Sequence, residues 1–120
     1  MELWRWPNFT PKEIACRHCG ELLINEDFLD KLQRQRSCFG HPIVVSSVYR
    51  CPIWNALVGG APLSTHKLGR AADESILTSD GKRLYECSQA VGFKGIGFYK
   101  TFLHNDTGAE RTWGVKPWAD

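Results

Sequence analysis

Apolar residues Phe28, Leu29 and Leu32 fall at helical spacing just after Asn25. Two acids, Glu26 and Asp27, open that stretch, the bases Lys31, Arg34 and Arg36 gather further on, and Gly40 stops it. Acid first and base last suits the helix dipole, so a helix is predicted from Asn25 to Gly40. Upstream, Thr10-Pro11-Lys12-Glu13 carries a capping box with Pro in the first helical position, and Cys19-Gly20 leaves room for only a short helix. After Pro42, the β-branched run Ile43-Val44-Val45-Ser46-Ser47-Val48 reads as a buried strand. Pro52 begins a helical turn around Trp54 and Asn55. The stretch from Gly59 to Gly69, rich in Gly, Pro, Ser and Thr, reads as a loop. A second strand is expected from Ala71 to Leu77, and a helix capped by Ser79 from there through Leu84, Cys87 and Ala90 to Gly92. Gly95-Ile96-Gly97-Phe98-Tyr99 and Phe102-Leu103-His104-Asn105-Asp106 read as a hairpin. Interspersed helices and strands with a short strand connection give an α+β class, a single small domain whose mainly antiparallel sheet is flanked by helices.

Composition narrows this picture only modestly. At 120 residues the chain has room for one domain, and 42% hydrophobic with 23% charged residues is ordinary for a globular protein. A net charge of +2 favours approach to an anionic polymer, but no run of Lys or Arg marks a nucleic-acid footprint. The segment Met1 to Pro7 lacks the pattern of a signal peptide, and no apolar stretch approaches the ~20 residues that span a bilayer. Synthesis and folding in a cytoplasm, as a monomer, are therefore expected. The five cysteines cannot all pair within the chain, and reduced thiols are the default for such a compartment.

Two short stretches carry candidate chemistry. Ser64-Thr65-His66-Lys67-Leu68-Gly69-Arg70-Ala71-Ala72-Asp73 offers an imidazole and a carboxylate, both good zinc ligands, among small residues that let backbone pass close to a metal. In His104-Asn105-Asp106, strand alternation puts His104 and Asp106 on one face. One can bind a metal while the other handles a proton or orients a ligand. Each also has a plainer reading: Asp73 as a cap, Asp106 as the start of a turn with Thr107-Gly108. Cys16-Arg17-His18-Cys19 offers part of a second metal site, which one of Cys38, Cys51 or Cys87 would have to complete. A thiol pair or a disulfide is the simpler expectation there.

Taken together, Ser64-x-His66-x-x-Gly69-x-Ala71-x-Asp73, Gly95-x-Gly97-x-Tyr99 and Phe102-x-His104-x-Asp106 resemble the M15 metallopeptidases. That group includes D-alanyl-D-alanine carboxypeptidases and phage endolysins, and the likeness is to the small M15A-type branch related to the zinc carboxypeptidase of Streptomyces. Further motifs agree in order: Phe9-Thr10-x-x-Glu13-x-x-Cys16, Leu29-x-x-Leu32-Gln33-x-x-Arg36, Ser47-x-Tyr49-Arg50-Cys51-Pro52-x-x-Asn55 and Val58-Gly59-Gly60-Ala61. The likeness covers roughly residues 8 to 113.

The resemblance implies a fold shared with the hedgehog signalling domain and one catalytic zinc held by His66, Asp73 and His104. It also implies hydrolysis of peptide bonds in bacterial peptidoglycan. Arg50 is then the candidate to bind a substrate carboxylate or stabilise the oxyanion, with a structural ion pair as its plainer role. Ser64 and Tyr99 are candidates for contacting substrate, and Trp113 and Trp118 for lining the groove or packing. Many relatives place an acidic general base three residues before the last His ligand, and that position here is Thr101. Asp106 is the nearest replacement, since alternation turns Glu74 away from Asp73. The expected setting is a phage or prophage lysis enzyme, released through membrane holes or carried on a phage particle. The alternative is an inactive zinc-binding module of the same fold that acts as a binding or phage structural protein, which the missing acid at Thr101 keeps open.

Overall fold

The computed structural model describes residues 4–61 and 64–118. Helix α1 (Pro11–Ile14) is closed by the expected capping box: Thr10 Oγ1 accepts the Glu13 N–H, and Glu13 Oε1 accepts the Thr10 N–H. Helix α2 (Glu26–Phe39) starts where Asn25 Oδ1 accepts the Phe28 N–H and ends at Gly40, whose φ of 76° provides the left-handed cap. Its stripe of Phe28, Leu29, Leu32 and Phe39 is buried. Complete burial stabilises the fold by roughly 1.5–3 kcal/mol for each such side chain.

Strands β1 (Val45–Ser47), β2 (Ala71–Ser75), β3 (Gly95–Phe98), β4 (Phe102–Asp106) and β5 (Arg111–Gly114) form one sheet in the order β1-β2-β4-β3-β5. Neighbours are antiparallel except β3 and β5, which are parallel. Alternation gives this sheet two distinct faces. Ala72, Ile96, Phe98 and Leu103 share the core with α2 and with Leu84 and Cys87 of α4 (Gly81–Ala90). Asp73, His104 and Asp106 occupy the opposite face, and Glu74 and Asn105 point back towards α2, where Asn105 Nδ2 and Gln35 Nε2 both donate to Glu74 Oε1. Burial pushes the Glu74 carboxyl up to about 8, against the opposing pull of those two amides. The expected α+β class with a mainly antiparallel sheet is what the chain adopts.

Several boundaries differ from the sequence reading. The run Ile43–Val48 is not a long buried strand. It contributes only β1, at a sheet edge, with a register irregularity between Val45 and Ser47 and with Val44 54% exposed. The second strand stops at Ser75, because the chain turns outward at exposed Leu77. Asp80 rather than Ser79 caps α4, its carboxylate accepting the Arg83 N–H at 3.1 Å, and the helix ends at Ala90. The loop from Gly59 to Gly69 contains a 3₁₀ turn, Thr65–Leu68, while Pro62 and Leu63 lie outside the described residues. Helix α3 (Pro52–Leu57) is the expected turn around Trp54 and Asn55.

The sequence reading contains neither strand β5 nor the disulfide that forms, while Cys16 and Cys19 are free thiols rather than a disulfide. Cys38 near the end of α2 and Cys87 in α4 are joined, with Cα atoms 5.7 Å apart, so the default of reduced thiols fails for this pair. Packing α2 beside α4 brings the two together, and their separation of 49 residues carries no local signal. No helix among the described residues is long and apolar enough to cross a membrane.

Candidate metal centre

His66, Asp73 and His104 come from a loop and two paired strands and converge on one point. Ser64 Oγ accepts the His66 N–H, fixing the start of the 3₁₀ turn, and Gly69 ends it at φ 67°. A side chain at Gly69 would be strained and would press on the Leu23 carbonyl, so this short return to β2 is open only to glycine. Asp73 then lies directly opposite His104 in the β2–β4 ladder. One ligand-capable atom from each of the three residues lies within 4.8 Å of the others, and all three side chains are buried.

The outer hydrogen bonds decide which atoms face inward. His66 Nδ1 is 2.7 Å from the Val48 carbonyl oxygen and must donate to it, leaving Nε2 towards Asp73 Oδ1 at 3.2 Å. His104 Nε2 is 2.7 Å from Asp106 Oδ2, leaving Nδ1 towards Asp73 Oδ1 at 3.0 Å. Arg50 Nη2 donates to the other Asp73 oxygen at 3.2 Å, so Asp73 presents a single oxygen to the cluster. In neutral rings held this way, two nitrogen lone pairs and a carboxylate oxygen point at one another. Such a set of acceptors calls for a positive charge at its centre, supplied by a metal cation or by a proton on an imidazole. Burial would raise the Asp73 carboxyl and lower His104, but their mutual hydrogen bonds, with His66 and Asp106, hold Asp73 well below the usual carboxylate range and push His104 up. Two imidazoles and a carboxylate, each oriented from behind by a second group, fit zinc with a position left for water.

Asp106 supports the cluster from behind. It is fully buried, and its two oxygens take the Gly108 N–H, the Thr65 hydroxyl, both Nη groups of Arg111 and His104 Nε2. Burial raises its carboxyl, but His104, Arg111 and Gly108 together hold it well below the ordinary range. No lone pair of Asp106 is left facing the cavity.

That cavity, about 330 Å³, is lined by Arg50, Ser64, His66, Asp73, Tyr99 and His104 as expected, by Thr65, and by Arg111 and the groove candidate Trp113. The Gly95-x-Gly97 motif accounts for the last two. A Cβ at Gly95 would fall 2.0 Å from Asp106 Oδ1 and 2.3 Å from Arg111 Nη1, and one at Gly97 would fall 2.4 Å from the Trp113 ring. The two glycines thus open slots in β3 through which Arg111 reaches Asp106 and Trp113 reaches His104, ring centres 5.1 Å apart. Trp113 Nε1 donates to the Tyr99 hydroxyl at 2.9 Å, leaving that hydroxyl its own proton. Trp118 instead packs beside Tyr85 and Phe98. Thr101 is exposed and takes no part in the cavity, and Glu74 lies on the other face of the sheet. Arg111 escaped the sequence reading because the signal for it lies in the glycines of β3, two strands earlier in the chain though next to it in the sheet.

Among curated proteins, none matches the chain significantly. The family model for peptidase M15 matches residues 7–106, a span that contains His66, Asp73 and His104 and nearly all of the cavity. Members of this family are zinc-dependent peptidases, which agrees with the donor set found here. The chain belongs to the peptidase M15 family.

Proposed function

We propose that this protein is a zinc peptidase that hydrolyses peptide bonds in bacterial peptidoglycan, with His66 Nε2, Asp73 Oδ1 and His104 Nδ1 as the metal ligands. The observation that carries the reading is the convergence of these three atoms, each backed by a second-layer partner, at a solvent-open cavity. Zinc held there supplies Lewis acidity towards a peptide carbonyl and lowers the pKa of a bound water to about 7.

The chain's own groups then divide the remaining work. Arg50 holds Asp73 through one nitrogen and lines the cavity, where its positive charge attracts a substrate carboxylate. Ser64 caps the turn that carries His66 and presents its hydroxyl to the same space. Tyr99, 39% exposed, is free to donate its hydroxyl proton to substrate, and Trp113 fixes its position. On this reading Asp106 orients His104 rather than accepting the proton, a role supported by the hydrogen bonds its two oxygens already take within the protein. The likeness to phage endolysins makes lysis of a host wall the proposed setting.

One observation favours a second reading, a zinc-binding module that recognises wall peptides without cutting them. Asp73 is the sole carboxylate among the described residues of the cavity, so no acid beyond the ligand set faces a substrate. A single experiment separates the two. Purified chain supplied with zinc is incubated with peptidoglycan, and soluble products are followed by mass spectrometry, with His104→Ala alongside. New amine termini released by the native protein alone establish the peptidase. Zinc retention and cosedimentation with the wall, but no released peptide, would establish the binding module instead.

A further inference from the structure

Cys16, Cys19 and Cys51 lie outside the peptidase cavity, yet their sulfur atoms fall within 4.8 Å of one another. The disulfide uses the other two cysteines, so all three of these are free thiols. They come from two elements far apart in sequence. Cys16 and Cys19 sit on the turn that follows α1, and Cys51 is the residue before α3. From these observations we infer a second metal site, a thiolate site for zinc built by Cys16, Cys19 and Cys51.

Three features of the surroundings belong to a soft-metal site rather than to idle thiols. Backbone N–H groups point at sulfur: Cys51 N–H at Cys16 Sγ and Trp54 N–H at Cys51 Sγ, both at 3.4 Å. Such donors stabilise negative charge on sulfur, which is the form that binds metal. The turn is shaped around its sulfurs as well, since Gly20 directly follows Cys19 at φ 76° and its N–H returns to the Cys16 carbonyl. Finally, Cys16 and Cys51 form a small cluster with Tyr49 and Trp54, separate from the main core and without a large aliphatic residue at its centre. Cys19 closes the cluster from the solvent side, exposed where the other two are buried. Three thiolates fill three of the four tetrahedral positions of zinc. The fourth falls to water or to His18, whose ring is stacked flat on Trp54 at 5.2 Å.

The site ties the N-terminal turn to the segment that carries Arg50. Cys51 follows Arg50 directly, and the Arg50 N–H donates to the His66 carbonyl. Metal at the cysteines therefore anchors the backbone on which the guanidinium facing Asp73 is mounted.

The test is metal content of the full chain, purified with zinc present, for the native protein, His104→Ala, and His104→Ala combined with Cys19→Ser. Expected are about one zinc per chain in His104→Ala, its release by a thiol-blocking mercurial, and its loss in the combined variant. As a second measurement, native protein loaded with cobalt(II) should display the near-ultraviolet thiolate-to-metal charge-transfer band that nitrogen and oxygen ligands cannot produce. No zinc in His104→Ala together with no such band, or fewer than three free thiols after denaturation, would overturn the site. Failure of the peptidase centre has a different signature: native protein and His104→Ala would hold equal amounts of metal.

Discussion

Gly97 and Trp113 face each other across the parallel β3–β5 pair, and the space a side chain would fill at Gly97 is taken by the indole that touches His104. The glycine therefore shapes the candidate metal centre without contributing a ligand atom to it. Gly97→Ala forces Trp113 off its seat. The expected cost is about 1–3 kcal/mol of stability, with a shift in tryptophan emission and a fall in peptidase activity. Denaturant melts and fluorescence of the purified variant check the first two, and an unchanged emission spectrum with full stability would refute the packing argument.

Asp106 and its partner Arg111 are expected to govern metal affinity. Asp106→Asn keeps the shape of the side chain but removes the charge that orients the His104 ring. Zinc affinity should drop about 10- to 100-fold, measured by competition with a chromophoric chelator. Were Asp106 the proton acceptor for the reaction, the variant would keep its zinc affinity and lose turnover alone.

Glu74 makes stability depend on pH. Its folded-state carboxyl is raised from 4.5 to about 8, chiefly by burial, so the folded protein holds a proton that the unfolded chain releases. The stability this contributes is fully present below pH ~4.5 and is lost as pH rises through ~8, at no more than about 1.4 kcal/mol per pH unit. Glu74→Gln should flatten that slope. Denaturant midpoints of chelator-treated native and variant protein between pH 5 and 9 provide the check, and parallel curves would show that Glu74 ionises normally.

The Cys38–Cys87 bond closes a loop of 49 residues between α2 and α4. Chain entropy predicts that Cys38→Ser costs roughly 4 kcal/mol, at the upper end of the typical range of about 2–4. The denaturant midpoint of the variant should match that of native protein treated with reductant. A midpoint equal to the oxidised native protein would mean that the bond contributes nothing in solution.

Local patterns carried much of this architecture into view. Caps and charge order placed α2, and strand alternation correctly set His104 with Asp106 on one face and turned Glu74 to the other. What alternation left open was the role of Asp106, since the same face serves a group that meets substrate and one that stands behind a ligand. Only the position of Arg111 distinguishes these, and β5 has no apolar alternation to reveal it: its four residues are mostly exposed, and its pairing with β3 is parallel. The run Ile43–Val48 misled for the opposite reason, because its composition is that of a central strand while its place is the edge. The approach of Cys51 to Cys16 and Cys19, like the pairing of Cys38 with Cys87, arises from packing between distant segments and leaves no mark in either neighbourhood.

The edge position of β5 gives the site two levels of cohesion. β2 and β4, which carry Asp73 and His104, lie inside the sheet, whereas β5 is held by one neighbour alone. Strands held on one side open by local unfolding at a free energy well below that of the whole domain. When β5 lifts, Arg111 and Trp113 leave together, Asp106 loses its counter-ion, and the Tyr99 hydroxyl loses its donor, while the ladder between Asp73 and His104 stays closed. A state with β5 lifted would thus keep the three candidate metal ligands aligned while the groups that support them are gone.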